Sequence, residues 1–175
     1  MLNTTDSQRE GHEAEITAAV RVSLVDPEPA VRAAAAQAFD VLQEHLGSQA
    51  IDQTIPTLLE ALRDSTDSSG TALQALKEVM MVRATTVFPV LIPSLITQPI
   101  TISNARAMAS LVTVAGNALS KRLTQILTAL VKSLETEEDE ETREAVKEAT
   151  TALLGSISDA EGLNTLMMLL LSWLV

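Results

Sequence analysis

The sequence predicts an all-α solenoid, a stack of antiparallel helix pairs, and three observations predict it. Leu24, Leu62, Leu95 and Leu134 each close a similar apolar run, at successive intervals of 38, 33 and 39 residues. Helix pairs repeating at that interval cannot bury their apolar faces alone, so neighbouring units stack. Between the runs lie turn signals such as Asp26-Pro27-Glu28-Pro29, Gln98-Pro99 and Gly47, Gly116 and Gly155. Finally, apolar residues make up 46% of the chain and aromatics only 2%, so the core must be built from Leu, Ala, Val, Ile and Met. That palette suits helix-on-helix packing and offers little to a β-sandwich.

Residues 1–13 are polar and read as a flexible N-terminal tail. The array then occupies 14–175. Its first unit, 14–47, has a helix ending near Val25 and a second from Pro29 to Leu46. In the second, Val31, Ala34, Ala35, Ala38, Phe39 and Leu42 fall at the spacing of one buried stripe. Asp26 is expected to cap it, with Pro27 or Pro29 in the first turn and Gly47 taking the left-handed residue at its end. Ala35 and Ala38 on the stripe let a neighbouring helix approach closely.

The second unit, 50–82, runs through Ile51, Ile55, Leu58 and Leu62, turns over 64–70, and returns through Ala72, Ala75, Leu76, Val79 and Met80. Pro56 is expected to kink its first helix or mark a late start. The third, 86–116, takes a helix over 87–97 containing Pro89 and Pro93, then one over 103–115 closed by Gly116. The fourth, 119–155, pairs 119–134 with 142–154, closed by Gly155. A partial fifth covers 159–175. The last ten residues are apolar except Ser172, yet too few to span a bilayer, which takes about 20. They read as the first helix of a pair whose partner is missing, with Leu169, Leu170, Trp173 and Leu174 uncovered, so the chain is expected to be a piece of a longer solenoid or a truncated product of one. Asp26 and Asp64 at the ends of first helices, and Val31-Arg32 echoed by Thr142-Arg143 early in second helices, specify HEAT-type units, about four and a partial fifth.

The chain has no Cys, which excludes disulfides and thiolate metal sites, and its first residues lack the apolar core of a secretion signal. A net charge of −11 makes a phosphate backbone a poor partner for the surface as a whole, and DNA is not expected as one. A local basic patch could still contact RNA. No reactive constellation stands out, so no catalysis, cofactor or metal is expected. The two histidines, His12 and His45, have no ligand at helical spacing, and no serine sits in a nucleophile motif. The acidic run 135–141 reads as a solvated loop whose later carboxylates suit the next helix's N-terminus, or else as a docking strip for a basic partner. Arg83, Arg106, Lys121 and Arg122 are the candidate partner contacts: singly solvated charges, together a small basic patch on an acidic body. Arg106 falls on a second helix, the layer that lines the concave side of a solenoid.

Several segments carry a more specific likeness. Val31-Arg-Ala-Ala-Ala-Ala-Gln-Ala-Phe-Asp-Val-Leu-Gln43, Leu46-Gly47, Ile51-Asp-Gln-Thr-Ile-Pro-Thr-Leu-Leu59, Leu91-Ile-Pro-Ser-Leu-Ile-Thr97 with Pro99, Ser110-Leu-Val-Thr-Val-Ala-Gly116 and Ser156-Ile-Ser-Asp159 are the segments. Over Val20 to Asn164 the chain resembles the C-terminal half of the very large HEAT-repeat translational activator of general amino-acid control, fungal members most, while 169–175 departs from the pattern. The resemblance implies a cytoplasmic, non-catalytic scaffold. It also implies partners: translating ribosomes, especially stalled or collided ones, and the kinase that phosphorylates translation initiation factor 2 alpha, which docks through its RWD domain on a neighbouring part of the activator. The alternative within the same architecture is a transport receptor or phosphatase scaffold that grips basic or helical peptides.

Overall fold

The computed structural model describes residues 6–63 and 68–173, and no strand occurs among them. The helices are α1 (Asp6–Leu24), α2 (Pro29–Leu46), α3 (Ser48–Arg63), α4 (Ser68–Leu95), α5 (Ile102–Val112), α6 (Asn117–Ser120), α7 (Leu123–Thr136), α8 (Glu140–Gly155) and α9 (Ala160–Trp173). Helix α4 breaks at Arg83, whose φ of −144° and ψ of 52° leave the helical region and separate segments 68–82 and 84–95. The chain divides at the same residue into two compact units, 1–82 and 83–175.

In the first unit α1 packs on α2 and α2 on α3. Helix α1 starts at Asp6, inside the stretch read as tail, so the helical part is longer than the apolar pattern reveals. Apolar residues at helical spacing are buried as the periodicity requires: Ile51, Ile55, Leu58 and Leu62 in α3, and Ala72, Ala75, Leu76, Val79 and Met80 in 68–82. Helix α3 runs through Pro56 without ending there. The turn expected around Asp64 falls at 64–67, outside the described residues.

The stripe on α2 differs from the expected one. Ala35, Ala36, Phe39 and Gln43 are buried, whereas Val31 is 38% exposed and Ala34 lies in solvent. Ala38 and Leu42 are half-buried. Four consecutive alanines leave the apolar pattern without a phase, and Phe39, 1% exposed, sets the rotation instead. The entry to α2 is corrected too. Glu28, not Asp26, is the N-cap residue, its side chain makes no cap bond, and Pro29 opens the helix at its first position. Asp26 folds the connection by accepting the Glu28 amide at 2.8 Å. Gly47 does end the helix at positive φ, 62°, with its amide on the Gln43 carbonyl.

Between Leu24 and Val31 the connection is held by Arg32. Its Nη1 donates to the carbonyls of Asp26 and Pro27 at 2.8 and 2.9 Å. Arg143 of α8 does the same six residues back, Nη2 donating to the Glu137 carbonyl. The two arginines paired by sequence position therefore make the same bond in two hairpins.

In the second unit the layers are explicit. The second helices α5 and α8 stack on each other, the first helices α7 and α9 stack likewise, and α7 pairs with α8. Leu91, Leu95, Met108, Leu111, Ile126, Leu130, Val146 and Leu153 fill the space between. Of the anchoring leucines, Leu24, Leu62 and Leu95 are buried, and Leu134 is half-buried beside a buried Ser133. Two helix ends move. Helix α5 stops at Val112, and Gly116, with φ 52°, precedes the short α6 rather than closing α5. The helix expected over 119–134 is interrupted at Lys121 and Arg122. Thr101 caps α5 by accepting the Asn104 amide at 3.2 Å, and Gln98 Nε2 donates to the Ala129 carbonyl at 2.9 Å, tying this turn to α7. The Gln98–Pro99 peptide is cis.

The rotated stripe yields a paired test. Ala36→Leu should overpack the α2 interface and lower stability by about 1–3 kcal/mol, while Ala34→Leu should change it by less than about 0.5 kcal/mol. Urea midpoints of the two variants check this, and equal effects would contradict the orientation of α2. Arg32→Ala, which leaves two turn carbonyls without their cationic donor, should cost about 1–3 kcal/mol in the same assay.

Candidate basic surface and its surroundings

Lys121 and Arg122 sit in the turn between α6 and α7, where the chain must change direction between two helices. The Arg122 amide donates to the Leu119 carbonyl at 2.9 Å, which closes the turn and turns both side chains toward solvent. Thr85, Pro89, Ala118, Lys121 and Arg122 line one concavity of about 290 Å3. Among the described residues neither cation forms an ion pair with a carboxylate.

The other two candidates behave differently. Arg106 on α5 reaches Glu141 on α8 at 3.5 Å, both side chains well exposed. An ion pair that open contributes little stability, but it occupies the guanidinium and joins α5 to the acidic run. Arg83 is half-buried where α4 breaks. The structure thus places Lys121 and Arg122 together and assigns Arg106 a carboxylate neighbour.

The signal that marks this region is an absence. Residues 83–134 contain five basic side chains and no Asp or Glu, so 52 consecutive residues carry +5 in a chain of net −11. Reading the cations one at a time misses this.

The acidic run is mostly local structure. Helix α7 extends to Thr136, and Asp139 caps α8 by accepting the Thr142 amide at 2.8 Å and its hydroxyl at 2.7 Å. Glu140 and Glu141 occupy the first turn of α8, where the helix dipole favours them. Lys147 approaches Glu140 and Glu144, at 3.9 and 3.0 Å, and Arg143 approaches Glu140 at 3.5 Å. The histidines are occupied locally: His45 Nδ1 meets the Val41 carbonyl at 2.8 Å, and His12 lies 3.6 Å from Glu15. Among the described residues no group of His, Asp and Glu is arranged to hold a metal, and no helix is long and apolar enough to cross a membrane.

A polar knot not foreseen from the sequence joins α6 to α9. The Ser120 hydroxyl donates to Asp159, whose two carboxylate oxygens lie at 2.9 and 2.7 Å, and the Gly162 amide donates to Oδ1 at 2.6 Å. A β-carbon at Gly162 would fall 2.8 Å from Ile157 Cγ2, 2.9 Å from Asp159 Oδ1 and 3.0 Å from Ser120 Oγ, so glycine is what fits. Asp-x-x-Gly at a helix start was the available signal; the serine 39 residues earlier carries none.

With the fold and these features in place, the chain is a HEAT-repeat protein: the general HEAT-repeat model matches residues 17–46, the end of α1 and all of α2. A more specific model, described as stalled ribosome sensor GCN1-like HEAT repeats, matches residues 87–175. That match runs to the last residue, past Asn164, so the departure expected for 169–175 is corrected. The eIF-2-alpha kinase activator GCN1 of Saccharomyces cerevisiae is 42% identical over 156 residues, covering 89% of this chain and 6% of the relative. Its namesake in Dictyostelium discoideum is 35% identical over 173 residues, 98% of this chain and 6% of the relative. The human stalled ribosome sensor GCN1 is 41% identical over 114 residues, 65% of this chain and 4% of the relative. No solved structure matches. The chain belongs to the GCN1-like HEAT-repeat family, and spans about 6% of the length of the relatives it matches most fully.

Two carboxylates give a pH test. The hydroxyl and amide of Thr142 hold Asp139 below the ordinary value of 3.8, and the Ser120 hydroxyl and Gly162 amide do the same for Asp159. A folded-state pKa below the unfolded one means the folded chain binds fewer protons, so the stabilisation is present above pH 3.8 and is lost as pH falls through the lower, folded value. Asp159→Asn should therefore be less stable than wild type near neutrality, with the gap in urea midpoint closing below pH 3.8. A gap independent of pH would remove the charge from the explanation.

Proposed function

We propose that this chain is a non-catalytic scaffold segment of a ribosome-associated activator of the kinase that acts on eIF-2-alpha. The observation that carries this reading is the family match over 87–175, which coincides with the second unit and its stacked layers. The relatives' names describe a kinase activator and a sensor of stalled ribosomes, roles of regulation rather than of turnover. A stack of helix pairs supplies what such a role needs, an extended surface on which partners can dock. The ribosome and the kinase are its partners in this reading, and the cytoplasm is where it meets them. Lys121 and Arg122 are the contact residues, Arg83 lies at the edge of the same unit, and Arg106 serves the α5–α8 junction.

Sedimentation with purified ribosomes tests this. The chain should pellet with ribosomes at low salt and be released as salt rises, because the contact is electrostatic. A chain that stays in the supernatant at low salt would refute the ribosome contact.

A further inference from the structure

We infer that the acid-free segment 83–134 forms a phosphate-binding surface for an RNA backbone, centred on Lys121 and Arg122 in the concavity they share with Thr85 and Pro89. This deepens the reading above, and rests on it for identifying the RNA as ribosomal.

Charge is the first ground. With +5 concentrated in 83–134, the rest of the chain carries −16, so the net charge outside this segment disfavours a polyanion. The second ground is partnership. Beyond residue 134, Arg143 and Lys147 each stand within 3.9 Å of a glutamate, and Arg106 has Glu141. Among the described residues no ion pair engages Lys121 or Arg122, and a turn closed by the Leu119 carbonyl keeps the two adjacent. The third ground is shape. A concavity of about 290 Å3 that has Lys121, Arg122 and Thr85 in its lining brings three donor-bearing side chains to one place, which suits a group with several acceptor oxygens.

These features favour a phosphodiester over an acidic peptide. A peptide docking on a solenoid takes an apolar anchor as well as charge, and here only Ala118 and Pro89 are apolar in the lining. They also favour backbone over base recognition. Phe88, the aromatic residue nearest in sequence to Pro89, is fully buried, so the lining has no ring for a base to stack on. Binding is thus independent of base sequence and strongly dependent on salt.

The test uses the whole 175-residue chain and a labelled oligouridylate, with fluorescence anisotropy read from about 50 to 200 mM salt. The double reversal K121E/R122E should weaken binding on the order of tenfold at low salt and flatten the salt slope by about 1.4, about 0.7 for each of two phosphates on a single strand. The neutral pair K121Q/R122Q should fall between, and Lys147→Gln, outside the segment, should change neither. Both sites are solvent-exposed, and an unchanged melting curve confirms that the variants fold. Wild type that fails to bind at low salt, or a reversal that leaves slope and affinity unchanged, overturns the inference. Competition by a polyglutamate peptide as strong as by RNA of equal charge assigns the surface to acidic proteins and overturns it also. Ribosome sedimentation run in parallel separates the two readings. Pelleting without RNA binding refutes the phosphate surface alone, and RNA binding without pelleting refutes the ribosome contact alone.

Discussion

A helix pair becomes a repeat unit only when its turn holds the two helices at a fixed angle, and in this protein an arginine supplies that constraint. Turn carbonyls point away from both helices and have no backbone amide to meet them. Arg32 and Arg143, each on the first turns of a second helix, reach back six residues to such a carbonyl. A guanidinium suits this position because its planar fork can serve two acceptors at once, as Arg32 does with Asp26 and Pro27. The cost is visible in the same side chains: Nε of both arginines is buried without a partner. Once the turn is fixed, the apolar stripes face a neighbouring pair, and stacking of α5 on α8 and α7 on α9 follows.

The helical fold was legible because its signals are periodic. Leucine spacing, turn residues and the paired arginines each report a repeat, and α3 and segment 68–82 bury the residues their spacing selects. Where periodicity carried no phase, the sequence misled. Four alanines in α2 look alike from every side, so the rotation was settled by Phe39 and by the buried Gln43, which an apolar count ignores. Helix ends were misplaced for a related reason. Gly116 marks a chain reversal, but it starts α6 instead of ending α5, and Lys121 and Arg122 hold a break that helix-forming residues disguise.

The candidate site was half legible. All four cations are visible in the sequence, and so is the stretch without acids that unites them. What the sequence withheld was distribution in space. Arg106 and Glu141 are 35 residues apart, and only the α5–α8 stack makes them neighbours. Among the described residues Lys121 and Arg122, in the turn between α6 and α7, enter no such pair. Pairing is thus a property of the packing, not of either residue.

The knot of Ser120, Asp159 and Gly162 has a consequence for how the chain tolerates insertions. Its serine and aspartate are 39 residues apart, the same interval that separates Leu95 from Leu134. The bond therefore acts as a gauge of repeat length. An extra residue in a connection between helices, as at 156–158, can bulge outward without rotating the helices on either side. The same residue inside α7 or α8 would turn everything after it by about 100° and lift it by about 1.5 Å, parting the hydroxyl from the carboxylate and setting α9 down on the wrong face. Length variation in this segment is thus confined to the short connections between its helices.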